Sequence, residues 1–516
     1  MHQKKAIPRK VRLEQFANER KKFIERIENS KIPFWKFIAF FLGIILIRFV
    51  LEVALSHYSN TLFDLPGFLL IFFFYISIAV STIILFHIFT KTSIDKLSKV
   101  ILPAFVLTIF PPLIDFLISG GKGFAMGYLA PKTNLIFAFF TMGGIPTNQA
   151  LTIGIRLELV VFLFLSFYYF QMKNPSLIKN LIKTFFVYCM IFLYAMTPII
   201  LQLFLNIFSL KLVDYWYQTI YSSSIILIAI QILLILWIHD KKLLTSIAFD
   251  LRINRILHFL LLFLIGLLIG LKSFTPKLDF NLALMIILAP LAIFFAILFS
   301  LIQNNIHDFR IDSISNKNRP LQLGANIKKY NNFSHIFLFL SLCFAISAGI
   351  TTLIATLLFA LSYYIYSNPP FRLKQIPIVS KLLISFCSLL TILVGFIIAG
   401  GTLATFPISI VILFLIGFTL AINFIDIKDY FGDKKEKIRT LPVILGLKKS
   451  KLLISTFFII AYALSYFVVE KIELIPFLIL FSIIEVILIN RREYNEKPVF
   501  IVYLLSLIII SIFYLI

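Results

Sequence analysis

Long apolar runs separated by short charged or Gly/Pro-containing stretches make up most of this chain. Crossing a bilayer as helix takes about 20 apolar residues, because only a helix satisfies its own backbone hydrogen bonds in hydrocarbon. On that basis the first half offers six spans, at about 34–55, 67–90, 100–118, 152–171, 185–207 and 218–238. The second half offers nine, at about 257–271, 281–303, 333–349, 351–366, 379–398, 403–424, 450–468, 474–489 and 498–516. The alternating pattern of an outer-membrane barrel is absent. The pattern predicts an all-α polytopic membrane protein. Residues 120–150 are the exception: their apolar core, Leu135 to Phe140, is too short to span and is bracketed by Gly and Pro. That predicts a re-entrant or outer-face element.

The polar stretches divide the chain. Residues 1–32 form a basic cytoplasmic segment in which Leu13, Phe16, Phe23 and Ile27 recur at near-helical spacing. An interfacial helix and a solvated tail both fit that pattern. The basic region before the first apolar run is too long for a cleaved signal peptide. Residues 33–240 are expected to form a six-span domain of unknown function, 241–256 a linker, and 257–516 a nine-span domain.

Composition agrees, with 60% hydrophobic and 16% aromatic residues excluding an ordinary soluble protein. The 48 Lys and Arg against 24 Asp and Glu give a net charge of +24. In a membrane protein this excess points to topology and anionic lipids rather than nucleic acid. Cys189, Cys343 and Cys387 lie inside apolar runs without metal-ligand spacing and read as small core residues. In the second half the loops on one side of the predicted membrane carry 19 Lys or Arg and the opposite loops carry three, Lys272, Lys277 and Lys471. The positive-inside rule then predicts a multi-pass protein of the cell membrane with a cytoplasmic N-terminus.

Charges inside apolar spans are costly and are functional hypotheses by default. The first half has five: Arg48 and Glu52 one turn apart, Asp115, Arg156 and Glu158. They fit ion pairs that fix helix packing, a polar site for a lipid head group or sugar, or the pathway of a transporter or flippase.

Three polar stretches of the second half fall on the cation-rich face. Asn304 to Pro320 places Asn304, Asp308 and Asp312 four apart, on one helix face with a drift of about 40° per step. Alone this fits either a solvated helix end or a site for a hard cation such as Mg²⁺, which prefers oxygen ligands. Tyr366 to Pro377 presents Arg372 and Lys374 after paired prolines. Asp426 to Gly446 repeats the carboxylate spacing with Asp429 and Asp433, preceded one turn earlier by Asp426. Carboxylates crowded together are relieved by protonation or a metal, and Lys and Arg beside them suit phosphate oxygens. Metal plus phosphate beside an apolar interior describes a site for a lipid diphosphate, whose ionisation a Lewis acid promotes.

The second half, from about residue 250, resembles the UbiA superfamily of intramembrane prenyltransferases. The motif NxxxDxxxD followed by RP stands as Asn304, Asp308, Asp312, Arg319 and Pro320. DxxxD followed by TLP stands as Asp429, Asp433, Thr440, Leu441 and Pro442. Between them YSxPPxRLK stands as Tyr366, Ser367, Pro369, Pro370, Arg372, Leu373 and Lys374. The resemblance implies a nine-helix bundle around a central cavity and Mg²⁺-dependent prenyl transfer from a polyprenyl diphosphate donor to a small aromatic or lipid acceptor. It implies that Asn304, Asp308, Asp312, Asp429 and Asp433 hold the metal and that Arg319, Arg372 and Lys374 neutralise the diphosphate. Tyr366 would point into the cavity, and Asp426 would be a further ligand or orient the acceptor. The site would open to the cytoplasmic side. Asn305 stands where many relatives have Asp, and Gln322-Leu323-Gly324 replaces the commoner Pro-Ser-Gly. His307 projects off the motif face and is expected to have no catalytic role. Gly395, Gly400 and Gly401 are expected to permit close helix packing.

Overall fold

The computed structural model describes residues 19, 22–56, 65–124, 127–129, 133–144, 151–207, 209, 216–276 and 279–516. All regular structure among them is helical, and 15 helices are long and apolar enough to cross a membrane. The chain is an integral, multi-pass membrane protein. It divides into two compact units, Met1–His239 and Asp240–Ile516.

Unit 1 contains α1 (Phe34–Leu55), α2 (Leu65–Thr90), α3 (Ile94–Ala104), α4 (Phe110–Ile118), the short α5 (Leu135–Phe140), α6 (Ile153–Lys173), α7 (Leu177–Ala195) and α8 (Thr197–Asn206). Helix α9 (Trp216–Phe249) is interrupted at Asp240, where the backbone leaves helical dihedrals. Prolines interrupt two of the spans. The third begins at Ile94 and changes to a 3-10 turn at Phe105–Ile109 between Pro103 and Pro111, residues without an amide hydrogen to donate. The fifth is two helices parted at Met196, since Pro198 cannot continue the ladder of α7. Leu13 and Phe16 lie outside the described residues. Residues 22–28 are helical, and the buried Glu28 accepts from Tyr169 Oη at 2.8 Å and pairs with Lys173 Nζ at 2.7 Å.

The intramembrane charges of unit 1 have separate fates. Arg48 and Glu52 form a fully buried ion pair, and Arg48 Nε also donates to Tyr75 Oη at 3.3 Å. Asp115 Oδ1 accepts from the Gly154 amide at 2.8 Å and so caps the start of α6. Arg156 donates to the Leu151, Thr141 and Gly144 carbonyls, tying the loop after α5 to α6. Four of the five charges therefore hold helices and loops together. Glu158 instead lines a cavity.

Unit 2 comprises α10 (Ile253–Phe274), α11 (Phe280–His307), the short α12 (Phe309–Ser315), α13 (Ile327–Ala348), α14 (Ile350–Ser367), α15 (Pro377–Ile398) and a composite sixth span at Ile408–Lys435. That span passes from α16 (Ile408–Ile412) through a π-helical turn at Leu413–Phe418 and α17 (Thr419–Ala421) to α18 (Ile425–Lys435). The short α19 (Leu441–Leu445) and the spans α20 (Leu447–Val469), α21 (Ile475–Asn490) and α22 (Glu496–Leu515) complete it. Among the described residues unit 2 thus has nine candidate spans.

Close approach of α10 and α15 depends on glycine. A Cβ at Gly266 would strike the Ile392 carbonyl, and one at Gly395 would strike the Phe263 carbonyl. Small residues at such crossings let helix backbones touch where lipid supplies no hydrophobic drive. Polar contacts add register: Gln303 Nε2 donates to Asn331 Oδ1 at 2.8 Å and Ser334 Oγ at 2.7 Å, joining α11 to α13. Asn368 Nδ2 donates to Gln303 Oε1 at 3.0 Å.

Candidate functional site

Helix α11 ends at His307, Asp308 leaves the α region (φ −97°, ψ 12°), and α12 begins at Phe309. The four-residue amide bonds nevertheless continue across the break, from Asp308 N to Asn304 O and from Asp312 N to Asp308 O, each 2.8 Å. The expected spacing therefore survives on a bent helix. The second carboxylate run lies on α18, which packs against α12. The bend and the composite sixth span bring the two runs to one cavity.

Asn304, Asp308, Asp312, Asp426, Asp429 and Asp433 all line that cavity. So do Arg319, Tyr366 and Lys374, with Phe259, Phe418 and Ile422 among its apolar walls. Arg372 is not a lining residue. Its backbone adopts the left-handed region (φ 41°), sparsely populated for a side chain with a Cβ, and its guanidinium contacts the His307 carbonyl at 3.2 Å and Asp308 at 3.6 Å. His307 thus enters the site through its backbone oxygen.

Cations and carboxylates alternate around the rim. Lys374 pairs with Asp308, both buried. Arg319 Nη1 is 3.4 Å from Asp312 Oδ2, yet that oxygen is buried without a hydrogen-bond donor among the described residues. Burial, relieved by Arg319 and aggravated by Asp308, pushes the Asp312 carboxyl up to about 6. Asn316 Nδ2 donates to Asp312 Oδ1 at 3.1 Å and to Asp429 Oδ1 at 3.4 Å, so one amide bridges the two runs. Asn304 Oδ1 accepts from Ser367 Oγ at 3.2 Å.

Several residues here carried no sequence signal of a site. Lys381, which the loop charges placed only as a topological cation, pairs at 2.5 Å with Asp426. Arg252 and Arg255, inside the expected linker, line the cavity. Burial, with Arg255 and Arg319 nearby, lowers the Arg252 guanidinium to about 9. Asn305 joins these groups: its oxygen accepts from Arg252 (3.1 Å) and Arg319, and its amide donates to Asp250 Oδ2 (2.6 Å) and Tyr330 Oη (2.9 Å). Deeper in, His258 is held between Ser388 Oγ at 3.0 Å and Tyr503 Oη at 3.1 Å.

No three His, Cys, Asp or Glu side chains converge into an all-protein metal cage among the described residues. Mg²⁺ commonly takes only one or two carboxylates and completes its shell with phosphate and water. Two carboxylate runs facing one cavity, one of them with an orphaned oxygen at Asp312, suit that mode.

Residues 259–508 match the profile of the UbiA prenyltransferase family. Among curated proteins, the digeranylgeranylglyceryl phosphate synthase of Methanosphaera stadtmanae is 31% identical over 211 residues, covering 40% of this chain and 71% of that protein. The synthase of Thermococcus gammatolerans is 30% identical over 174 residues, covering 33% of this chain and 59% of that protein. That of Methanobrevibacter smithii is 30% identical over 187 residues, covering 35% of this chain and 65% of that protein. The chain thus spans less than two thirds of the length of the latter two. Among solved structures, a UbiA homologue from Archaeoglobus fulgidus bound to DMAPP and Mg²⁺ is 24% identical, with a TM-score of 0.42, covering 51% of this chain and 94% of that one.

Proposed function

As the chain belongs to the UbiA prenyltransferase family, we propose that unit 2 transfers a prenyl group from an isoprenoid diphosphate to the hydroxyl of a glyceryl phosphate lipid. The observation that carries this reading is the cavity itself, whose rim alternates carboxylates with Arg and Lys while its depth is apolar. Such a surface holds a diphosphate at one end and an isoprenoid chain at the other. The relatives' names point to a lipid acceptor rather than an aromatic one.

Asn304, Asp308, Asp312, Asp429 and Asp433 would hold Mg²⁺, which neutralises charge on the departing diphosphate. Lys374 and Arg319, now balanced by Asp308 and Asp312, supply donors for phosphate oxygens. Arg372 positions Asp308. Arg252 and Arg255 add positive charge on the same cavity, suited to the phosphate of the acceptor. Tyr366, Phe259 and Phe418 screen the allylic centre from water. The donor C–O bond breaks with its electron pair leaving on diphosphate, the acceptor oxygen bonds to the allylic carbon, and Asp426, oriented by Lys381, accepts the hydroxyl proton.

In this reading residues 257–516 form the transferase domain, residues 33–240 a separate six-span domain, and the site opens to the cytoplasm, as the loop charges support. Purified full-length protein in lipid nanodiscs, given labelled geranylgeranyl diphosphate, Mg²⁺ and geranylgeranylglyceryl phosphate, is expected to form the diether. Full transfer by Asp308→Ala and Asp429→Ala variants, or transfer to 4-hydroxybenzoate alone, would overturn the reading.

A further inference from the structure

Unit 1 contains its own cavity. Its walls come from α2, the turn between α3 and α4, α6 and α7, with Phe74, Phe105, Leu159 and Phe162 among the apolar ones. Among the described residues no Lys or Arg lines it. The nearby Arg48 is already engaged by Glu52 and Tyr75.

Of its polar lining side chains, Thr108 donates to the Phe105 carbonyl and Tyr75 Oη accepts from Arg48, which leaves Tyr128 and Glu158 to set its chemistry. Tyr128 is only 8% exposed, and its hydroxyl has no hydrogen-bond partner among the described residues. Burying an unpaired hydroxyl is unfavourable, and a ligand acceptor would relieve that. Glu158 lines the same cavity and forms no hydrogen bond or ion pair among the described residues. Asp115 and Arg156, by contrast, spend their charge on backbone groups.

We infer that this cavity binds a lipid alcohol, an apolar chain ending in a free hydroxyl. A hydroxyl donates one hydrogen bond and accepts others, so it gives to the Glu158 carboxylate and receives from Tyr128 Oη. A hydrocarbon leaves both groups unpaired. A phosphate lipid sets a second negative charge beside Glu158, whose neighbouring cation, Arg48, is already bound to Glu52 and Tyr75. An ammonium satisfies Glu158 but cannot accept from Tyr128. This site lies wholly in unit 1 and stands independently of the transfer reaction proposed for unit 2.

The test uses the full chain in nanodiscs with a hexadecan-1-ol carrying a mid-chain diazirine, followed by peptide mapping of the crosslinks. Saturable labelling is expected on peptides containing Phe105 and Phe162. Unlabelled hexadecanol should compete about tenfold better than hexadecane or hexadecyl phosphate. Glu158→Gln and Tyr128→Phe should each reduce saturable labelling by about tenfold, with thermal melting reporting that the variants fold. Equal competition by hexadecane, preferred competition by hexadecyl phosphate, or labelling confined to residues 252–500 would overturn the inference. The competition series needs only the unaltered chain, so it decides the matter even if a variant misfolds.

Discussion

Asp312 and Asp429, 117 positions apart, accept hydrogen bonds from the same side-chain amide, that of Asn316, at 3.1 and 3.4 Å. Two carboxylates drawn together by one neutral donor retain their mutual repulsion, which a cation relieves. Asn316 is therefore expected to preorganise the metal site without being a ligand.

Replacing Asn316 with Ala should raise the Mg²⁺ concentration for half-maximal prenyl transfer by about tenfold, as expected for losing a hydrogen bond to a charged group. Activity at saturating Mg²⁺ should largely recover. An Mg²⁺ titration of both proteins checks this, and chelation by EDTA should abolish transfer in each.

Lys381 and Asp426 form a buried pair, with side chains 3% and 11% exposed. Removing one partner strands the other charge, at a cost of about 3–5 kcal/mol. Asp426→Asn and Lys381→Met should each lower the melting temperature clearly. The double variant Lys381→Met/Asp426→Leu should regain most of that stability while staying inactive in transfer. Recovery of activity in the double variant would remove Asp426 from the reaction.

Asn305 donates to Asp250 at 2.6 Å while accepting from Arg252 and Arg319. Asn305→Asp keeps both acceptor roles but puts two carboxylates at hydrogen-bond distance. It should destabilise the protein by about 1–3 kcal/mol. Asp250→Asn in the same chain should reverse most of the loss, because it restores one donor to the pair. Thermal melting of the single and double variants reads this out.

Gly395→Ala places a Cβ against the Phe263 carbonyl, where backbone cannot yield as a side chain would. Overpacking typically costs about 1–3 kcal/mol. The variant should melt earlier than Gly400→Ala, whose nearest new contact is the Phe274 Cβ at 3.5 Å, although the positive φ of Gly400 adds strain there.

The spans and the three polar motifs were legible because each depends on local spacing. Apolar runs of bilayer length have one low-energy solution, and a carboxylate every fourth residue shares a helix face wherever the helix goes. Proline showed the limit even of that: the third span changes to a 3-10 turn at Phe105–Ile109 and the fifth breaks at Met196, because the ladder depends on amides that hydropathy does not count. Partners were not legible. Nothing in its loop marked Lys381 for Asp426, and Arg252 and Arg255 read as linker charges until α10 carried them to the cavity. Likewise, five similar intramembrane charges in the first half became an ion pair, a helix cap, a loop tie and one carboxylate without a partner among the described residues.

By itself, then, the sequence determined a helical membrane protein with aspartate runs Asn304–Asp312 and Asp426–Asp433 and the basic turn around Arg372, since hydrophobic length and helical period act over a few turns. Only the tertiary structure decided that a bend at Asp308 and a π-helical turn at Leu413–Phe418 aim those runs into one cavity, and that Glu158 and Tyr128 face another. The pairing of charges is settled by distances across helices, and in a low-dielectric interior those distances decide which groups are balanced and which remain available to a ligand.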